Sequence, residues 1–415
     1  MPHVVFIAPR FLENTNRYVR SFAALPGVTL SLVSADPESA IPESLRAKVA
    51  GHYRIDNCVD GNALAVAVRA LGQGVGRVDR LAGALEQLQM PMAEVRDALG
   101  IEGIGSDVAR SFRDKDRMKD VLRAAGVPVA RSGLATSMGA LRTFVDRVGF
   151  PVIVKPQAGV GARATFRITS LADLDALAAQ GVIPTEDRPL QVEEFVRARE
   201  HTCETVTVKG KVVWRSGTRY FPSPLEVIES PWIQYCVLLP REDQDTEWTK
   251  FHPVNEAALT ALFGASAHTA AGTALTHMEW FLRDDGSALV NEVGVRPPGV
   301  GIMPLMSIAH EADLWADWAE LVSFDRFTPK DRKWAAGAAF FRGHGGGDRI
   351  TAVEGIEEAV AAAGDALVEL RTPKVGMARA EGYEGEGWAT VRSATTEGAK
   401  QALVALIDRV RIRYG

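Results

Sequence analysis

The chain has 415 residues, 47% of them hydrophobic and 24% charged, with a net charge of −5. That length allows two to four domains with buried cores, and the composition is ordinary for a globular protein. The mild acidity leaves no electrostatic footprint for nucleic acid, and no 18-residue apolar run is present to span a membrane. Cys58, Cys203 and Cys236 are too widely spaced for a zinc site or a disulfide framework. The N-terminus, MPHVVFIAPRF, reads as a first strand rather than a signal peptide, so a reducing cytoplasm is the expected location.

Taken in order, VVFIAP (4–9) and VTLSLVSAD (28–36) read as strands, with a helix near 14–25 between them. HYRID, a helix from about 61 to 72, VDRLAG and a helix near 92–99 continue the alternation. Alternating β and α units predict a parallel sheet covered by helices, hence an α/β fold class. The first turn, APRFLENTN, lacks G-x-G-x-x-G, so no dinucleotide site is expected there.

SFRDKDRMKDVLRAAGVPVARSG (111–133) reads as one charged amphipathic helix stopping at Gly126. A helix from about Ser137 follows, then strand, glycine-containing loop and strand in GFPVIVKPQAGVGARATFRI (149–168). The helix LADLDALAAQ, the strand PLQVEEFV (189–196), the β-type runs in CETVTVKGKVVWRSGTRYF and the helix VNEAALTALFGASAHTAAG come next.

HMEWFLRDDGSALVNEVGVRPPG (277–299) then forms a β-hairpin, because Asp285-Gly286 between two apolar runs is a strong turn signal. A turn centred there pairs Asp284 with Ser287, Leu282 with Leu289 and Glu279 with Glu292. Facing anions on one side of a mostly apolar hairpin repel each other. Either the hairpin is exposed in another register, or a cation such as Mg²⁺ or Mn²⁺ sits between them. Helical segments follow the hairpin, and beyond residue 327 the strand-like runs WAAGAAFFR, ALVELRTPKVG and GWATVRSA, with helices in ITAVEGIEEAVAAAG and TTEGAKQALVALIDRVRI, suggest a small C-terminal α/β unit. HGGG at 344–347 reads as a turn, since the G-x-S-x-G of an esterase is absent.

Several side chains have chemical potential. Lys155 ends an apolar strand beside Gly159 and Gly161, and a fixed cation with backbone N–H groups suits a phosphate. Taken alone, it reads more readily as a strand-end surface lysine, and the glycines as an ordinary turn. Lys115 lies in a mixed-charge helix face. Glu193 and Glu194 end a strand whose departing backbone suits an adenine edge, and Glu200 beyond it can accept from ribose hydroxyls, although taken alone these acids read more readily as a surface cluster. Arg296, just after Glu292, has a planar fork that suits a phosphoryl group or pairs with an acid.

DKDRMKDVLRAAGVPVA, GFPVIVKPQAGVGA, VEEFVRARE and HMEWF…LVNEVGVRPPG, in this order over about residues 110–300, resemble the ATP-grasp superfamily. The branch resembled is that of carboxylate–amine ligases near biotin carboxylase and the bacterial L-amino acid ligases. The resemblance implies an N-terminal Rossmann-like domain (1–107), an ATP-grasp domain (108–326) with a mobile lid at about 127–188, and a small C-terminal α/β domain (327–415). It implies ATP and Mg²⁺ or Mn²⁺ as cofactors. Lys115 and Lys155 match the phosphate-contacting lysines, with Gly159 and Gly161 in the lid loop. Glu193, Glu194, Phe195 and Val196 match the adenine hinge, and Glu200 the ribose acid. Glu279 and Glu292 match the metal carboxylates, and Arg296 the phosphate-binding arginine. The family usually reads Glu-x-Asn-x-Arg; here Gly294 stands at the asparagine's place, and Asn291, one residue before Glu292, is expected on the opposite strand face.

The activity implied is ATP-dependent amide formation through an acyl phosphate, with a small carboxylate and an amine as substrates and a homodimer as the assembly. Bicarbonate activation and a non-catalytic nucleotide-binding regulator are the alternatives; no Ala-Met-Lys-Met biotin-attachment sequence occurs. Arg219 and Tyr220 are candidates for holding a substrate carboxylate, and His277, Trp280 and Trp232 for lining its pocket, although packing roles account for each as well.

Overall fold

The computed structural model describes residues 1–156, 164–230, 233–242, 246–380, 382 and 384–415. Gly159, Gly161 and Trp232 lie outside the described residues.

Four parallel strands form the N-terminal sheet, in the order Gly51–Arg54, Thr29–Ser34, His3–Ile7, Arg80–Ala82. Both faces of its central strand are buried, as the run VVFI requires. Val5 and Ile7 pack on the helices Gly61–Gly74 and Gln89–Leu99. Val4 and Phe6 join the opposite core, where Phe6, Tyr18 and Phe22 surround Trp318 at ring separations of 5.2–6.5 Å. Trp318 belongs to the later helix Leu314–Phe324, so this core fastens the N-terminal sheet to the rest of the chain.

A small antiparallel sheet follows, ordered Ser132–Ala135, Leu190–Glu194, Val152–Pro156, Phe166–Ile168. The helices Met138–Val148 and Leu171–Ala179 cover one face and close a core of its own around Leu141, Phe144, Val154 and Leu174. The strand 190–194 is interior to this sheet, so the unit extends past the expected 127–188 limits.

The large sheet has eight strands: Ala288–Gly294, Ala274–Leu282, Arg199–Val208, Lys211–Phe221, Tyr235–Leu239, Ala335–Phe341, Gly387–Ser393 and Leu367–Arg371. Its last three come from beyond residue 327. The segment expected to form a separate C-terminal unit therefore continues the central sheet, and its helix Thr396–Ile407 packs on that sheet through Leu403 and Leu406.

Two local features depart from the expected elements. The single helix expected at 111–126 is two, Ser106–Arg113 and Lys115–Ala124. Asp114 between them has an extended backbone, and its carboxylate accepts hydrogen bonds from the N–H groups of Asp116 and Arg117. An aspartate in that position starts a new helix. This break puts Lys115 in a first turn, where it is 6% exposed instead of lying on a solvated face.

The hairpin differs in a way that cancels. Its loop is three residues, closed by Arg283 N–H to the Ser287 carbonyl at 2.9 Å, with Gly286 at φ +79°. Such a loop needs a left-handed residue at its third position, which glycine supplies. The register is thereby shifted, and Leu282 faces Ala288 and Phe281 faces Leu289, not Leu282 with Leu289. An extra residue, Asn291, then bulges out of the second strand. The bulge restores Glu279 opposite Glu292.

Candidate active site

A cavity of about 550 Å³ lies where the three sheets meet. Its walls include Phe6, Ile7 and Pro9 at the carboxyl end of the first strand, where open α/β sheets commonly bind ligands. Lys155 and Ile153 enter from the small sheet, and Glu279, Asn291, Glu292 and Gly294 from the hairpin.

At one end, Ala130, Val196 and Leu289 form a small apolar cluster with Ala198 and Phe281 packed against it. The chain leaves the sheet after Glu194, so 195–198 run along this slot without strand partners in the ladder. The Glu194 carboxylate turns outward to Arg131, accepting from its backbone N–H at 2.9 Å and its Nε at 2.6 Å. The Arg167 guanidinium covers the Phe195 ring at 4.3 Å.

In the centre, opposite charges are matched before any ligand enters. Ladder alternation puts Glu193 beside Lys155, whose Nζ donates to it at 3.1 Å. Lys119, one helical turn after Lys115 and 1% exposed, approaches the other Glu193 oxygen at 3.6 Å. Burial favours the protonated acid, but the two lysines outweigh it and hold Glu193 below the usual carboxylate range. Burial likewise pushes the Lys119 ammonium down, with Glu193 opposing. Lys115 forms an ion pair with Glu292, and that contact together with Lys155 keeps Glu292 well below its ordinary value despite burial. Glu200, lining the cavity, is the reverse: burial, then the charge of Glu279, raises it well above the ordinary carboxylate value.

A buried chain of polar contacts supports Glu279. The Thr218 hydroxyl donates to Glu204 at 3.2 Å, Glu204 meets His277 Nδ1 at 2.7 Å, and His277 Nε2 lies 3.7 Å from Glu279. Burial lowers the imidazole's affinity for a proton, but the two carboxylates prevail and raise it to about 9. On its other side, the Asn291 amide donates to Glu279 at 3.2 Å.

Arg296 lines the cavity and is held by Glu86, with Nε and a terminal nitrogen both 2.6 Å from one Glu86 oxygen. Arg113 pairs with the other oxygen. Glu86 comes from the N-terminal domain, and no sequence pattern marked it.

The structure brings Lys115, Lys155, Glu193, Glu194, Phe195, Val196, Glu200, Tyr220, His277, Glu279, Glu292 and Arg296 to this cavity. It does not bring Arg219 or Trp280. Arg219 alternates with Tyr220 along one strand and points to the other face, where it pairs with Glu247 at 3.0 Å. Trp280 is wholly buried between Phe251, stacked at 3.9 Å, and His201 at 4.6 Å. Asn291 lines the cavity instead of facing away, because the bulge adds the residue that alternation did not count. Lys119, Glu204 and Glu86 were missed: each reads as an ordinary charge until its burial is known. In Lys119 the one available signal was its i+4 spacing from Lys115.

The family described as carbamoyl-phosphate synthase L chain, ATP binding domain, matches residues 114–208. The chain is 24% identical over 245 residues to the L-arginine-specific L-amino acid ligase of Bacillus subtilis, covering 58% of this chain and 57% of that protein. It is 29% identical over 226 residues to D-alanine--D-alanine ligase A of Mesorhizobium japonicum, covering 49% and 57%. The match thus spans a little over half the length of these relatives. In structure it is similar to the L-amino acid ligase of Bacillus licheniformis, with a TM-score of 0.75, 16% identity and coverage of 100% and 99%. N5-carboxyaminoimidazole ribonucleotide synthetase from Thermotoga maritima gives a TM-score of 0.67 at 18% identity, with full coverage of both chains.

The chain therefore shares the overall fold of these two enzymes, and its residues 114–208 are similar to an ATP-binding domain of the carbamoyl-phosphate synthase type. Within that fold its similarity includes the L-amino acid ligases, in sequence and in overall structure. No helix among the described residues is long and apolar enough to cross a membrane, and the three cysteines are free.

Proposed function

We propose that this protein is an ATP-dependent carboxylate–amine ligase acting in the cytoplasm on a small carboxylic acid and an amine. The observation that carries the reading is a single cavity holding Glu279 opposite Glu292, with Lys115, Lys155 and Arg296 around them. The sequence similarities to an L-amino acid ligase and to a D-alanine--D-alanine ligase support it.

The apolar slot at Val196 and Phe281 takes the base, and the 195–198 backbone its hydrogen-bonding edge. Glu200 meets the ribose. The donor set fits Mg²⁺ or Mn²⁺, which prefer hard oxygen ligands: Glu279 and Glu292 would hold the ion. When bound, that dication supplies neutralisation of the polyphosphate charge.

Lys155 and Lys115 bind the phosphates, leaving Glu193 and Glu292 as they do so. Arg296 neutralises charge on the transferring phosphoryl group. A substrate carboxylate oxygen attacks the γ-phosphorus, the bond to the β-phosphate oxygen breaks, and ADP leaves. The amine nitrogen then attacks the acyl carbon, the carbon–oxygen bond to phosphate breaks, and the amine loses a proton. The chain's contribution is positioning and electrostatics, since the phosphoryl step asks little covalent chemistry of it. A homodimer is the proposed assembly, to be checked by light scattering.

The test is a screen for ADP and phosphate release over pairs of carboxylates and amines, with product masses measured. A product equal to acid plus amine minus water is expected for at least one pair. ATP binding without turnover for any pair would remove the ligase reading.

A further inference from the structure

The hairpin carries an amide donor at a place that strand alternation excludes. A regular strand would turn Asn291 away from Glu292. The bulge between Trp280 and Glu279 sets two residues, Asn291 and Glu292, against one. As a result Asn291 and Glu292 both line the cavity, and the Asn291 amide reaches Glu279 at 3.2 Å. The same residue thus touches one carboxylate and adjoins the other.

Two carboxylates do not complete an oxygen shell. Mg²⁺ takes six oxygen ligands and keeps water where the protein supplies none. A side-chain amide has one oxygen for a cation and one NH₂ for a carboxylate. Asn291 is placed to use both, and it is half-buried on the cavity wall beside these two acids. Three residues further on, Gly294 also lines the cavity and offers no donor; a Cβ built there meets nothing nearer than Arg296 Cγ at 3.7 Å.

We infer that the bulged Asn291 is a third protein donor to the dication between Glu279 and Glu292, giving it the amide oxygen while the amide NH₂ orients Glu279. This rests on the metal site proposed above. The bulge is then a functional device: it adds a donor without moving the facing carboxylates out of register.

The experiment is Mn²⁺ binding to the full chain, followed by the loss of the free-ion EPR signal, with and without ADP. The proteins are wild type, Asn291→Ala, Asn291→Asp, Glu292→Gln and Asn291→Ala combined with Gly294→Asn. Far-UV circular dichroism and melting confirm folding. Asn291→Ala should weaken Mn²⁺ binding at least tenfold, in the range set by losing a ligand or its immediate support. Asn291→Asp, which keeps an oxygen at the same place, should bind as tightly as wild type or more so. Restoring an amide at 294 should recover part of the loss.

Equal Mn²⁺ affinity in wild type and Asn291→Ala, with Glu292→Gln impaired, overturns the inference and leaves the metal site standing. Weakening in Asn291→Asp equal to that in Asn291→Ala also overturns it, since the amide would then act only as a hydrogen-bond donor to Glu279. If wild type itself binds no Mn²⁺, both the inference and the metal site of the proposed function fall.

Discussion

Glu86→Ala tests how the N-terminal domain is tied to the site. The Glu86 side chain is 8% exposed, and its two oxygens serve Arg113 and Arg296, which are 15% and 18% exposed. Removing the carboxylate strands two guanidinium groups in a poorly solvated place. Breaking a buried pair from one side costs about 3–5 kcal/mol. For a chain of this length unfolding as a unit, entropy near 2.1 cal/mol/K per residue converts that to a melting shift of roughly 3–6 °C. Arg296 also loses its anchor, so kcat/KM should fall by about tenfold or more, as misplacement of a positioning group does. Scanning calorimetry and steady-state ADP release measure the two effects. Adding Arg113→Ala to Glu86→Ala should recover part of the melting temperature but none of the activity, because Arg113 does not line the cavity. A Glu86→Ala protein that melts within about 1 °C of wild type with unchanged kcat/KM would refute the reasoning.

Burial and the charge of Glu279 favour the protonated form of Glu200, so Glu200→Gln, which mimics the neutral acid, should be tolerated. ATP affinity by calorimetry should stay near wild type in that variant and drop about tenfold in Glu200→Ala, the scale of one lost hydrogen bond; equal losses in both would show that the carboxylate acts ionised. Stability should fall on acidification for a separate reason. Burial pushes His201 and His310 down to about 4, while an unfolded chain protonates them near 6.5. The unfolded state then binds more protons between those values, so stability is lost as pH falls from about 6.5 toward 4, by about 2 kcal/mol per histidine at pH 5. His277 has the opposite sign, its contribution being present below 6.5 and lost through about 9. Urea midpoints at pH 7 and 5 should therefore converge in His310→Gln relative to wild type; an unchanged difference would sink this assignment.

Much of the scaffold was legible because hydrophobic periodicity reports burial directly. The parallel N-terminal sheet, the Lys155 strand and the Glu279–Glu292 pairing all follow from local patterns. The pairing holds although the turn formed is not the two-residue one that the Asp285-Gly286 step suggests. A three-residue loop and a bulge each move the register by one, in opposite directions, and neither is visible in a hydrophobic pattern. Strand alternation therefore puts Asn291 on the wrong face. Trp280 and Arg219 failed for another reason: which side of a strand faces a cavity depends on what packs behind it. Here Phe251 and Glu247 from the helix Thr246–Phe263 take those side chains. Lys119 and Glu86 gain meaning only from partners 74 and 210 residues away, separations no local pattern encodes.

The shared central sheet limits how this protein can be taken apart. Ala335–Phe341 lies between Tyr235–Leu239 and Gly387–Ser393, hydrogen-bonded to both along its length. A version ending near residue 326 would leave Tyr235–Leu239 as an open edge, and every residue of that strand is buried in the intact chain. An exposed apolar edge invites pairing between molecules. The C-terminal portion is therefore not an interchangeable module: recombining it with a foreign partner means replacing three strands of one sheet at matched register, so inheritance of the half that carries the cavity and the terminal half is linked by backbone hydrogen bonds.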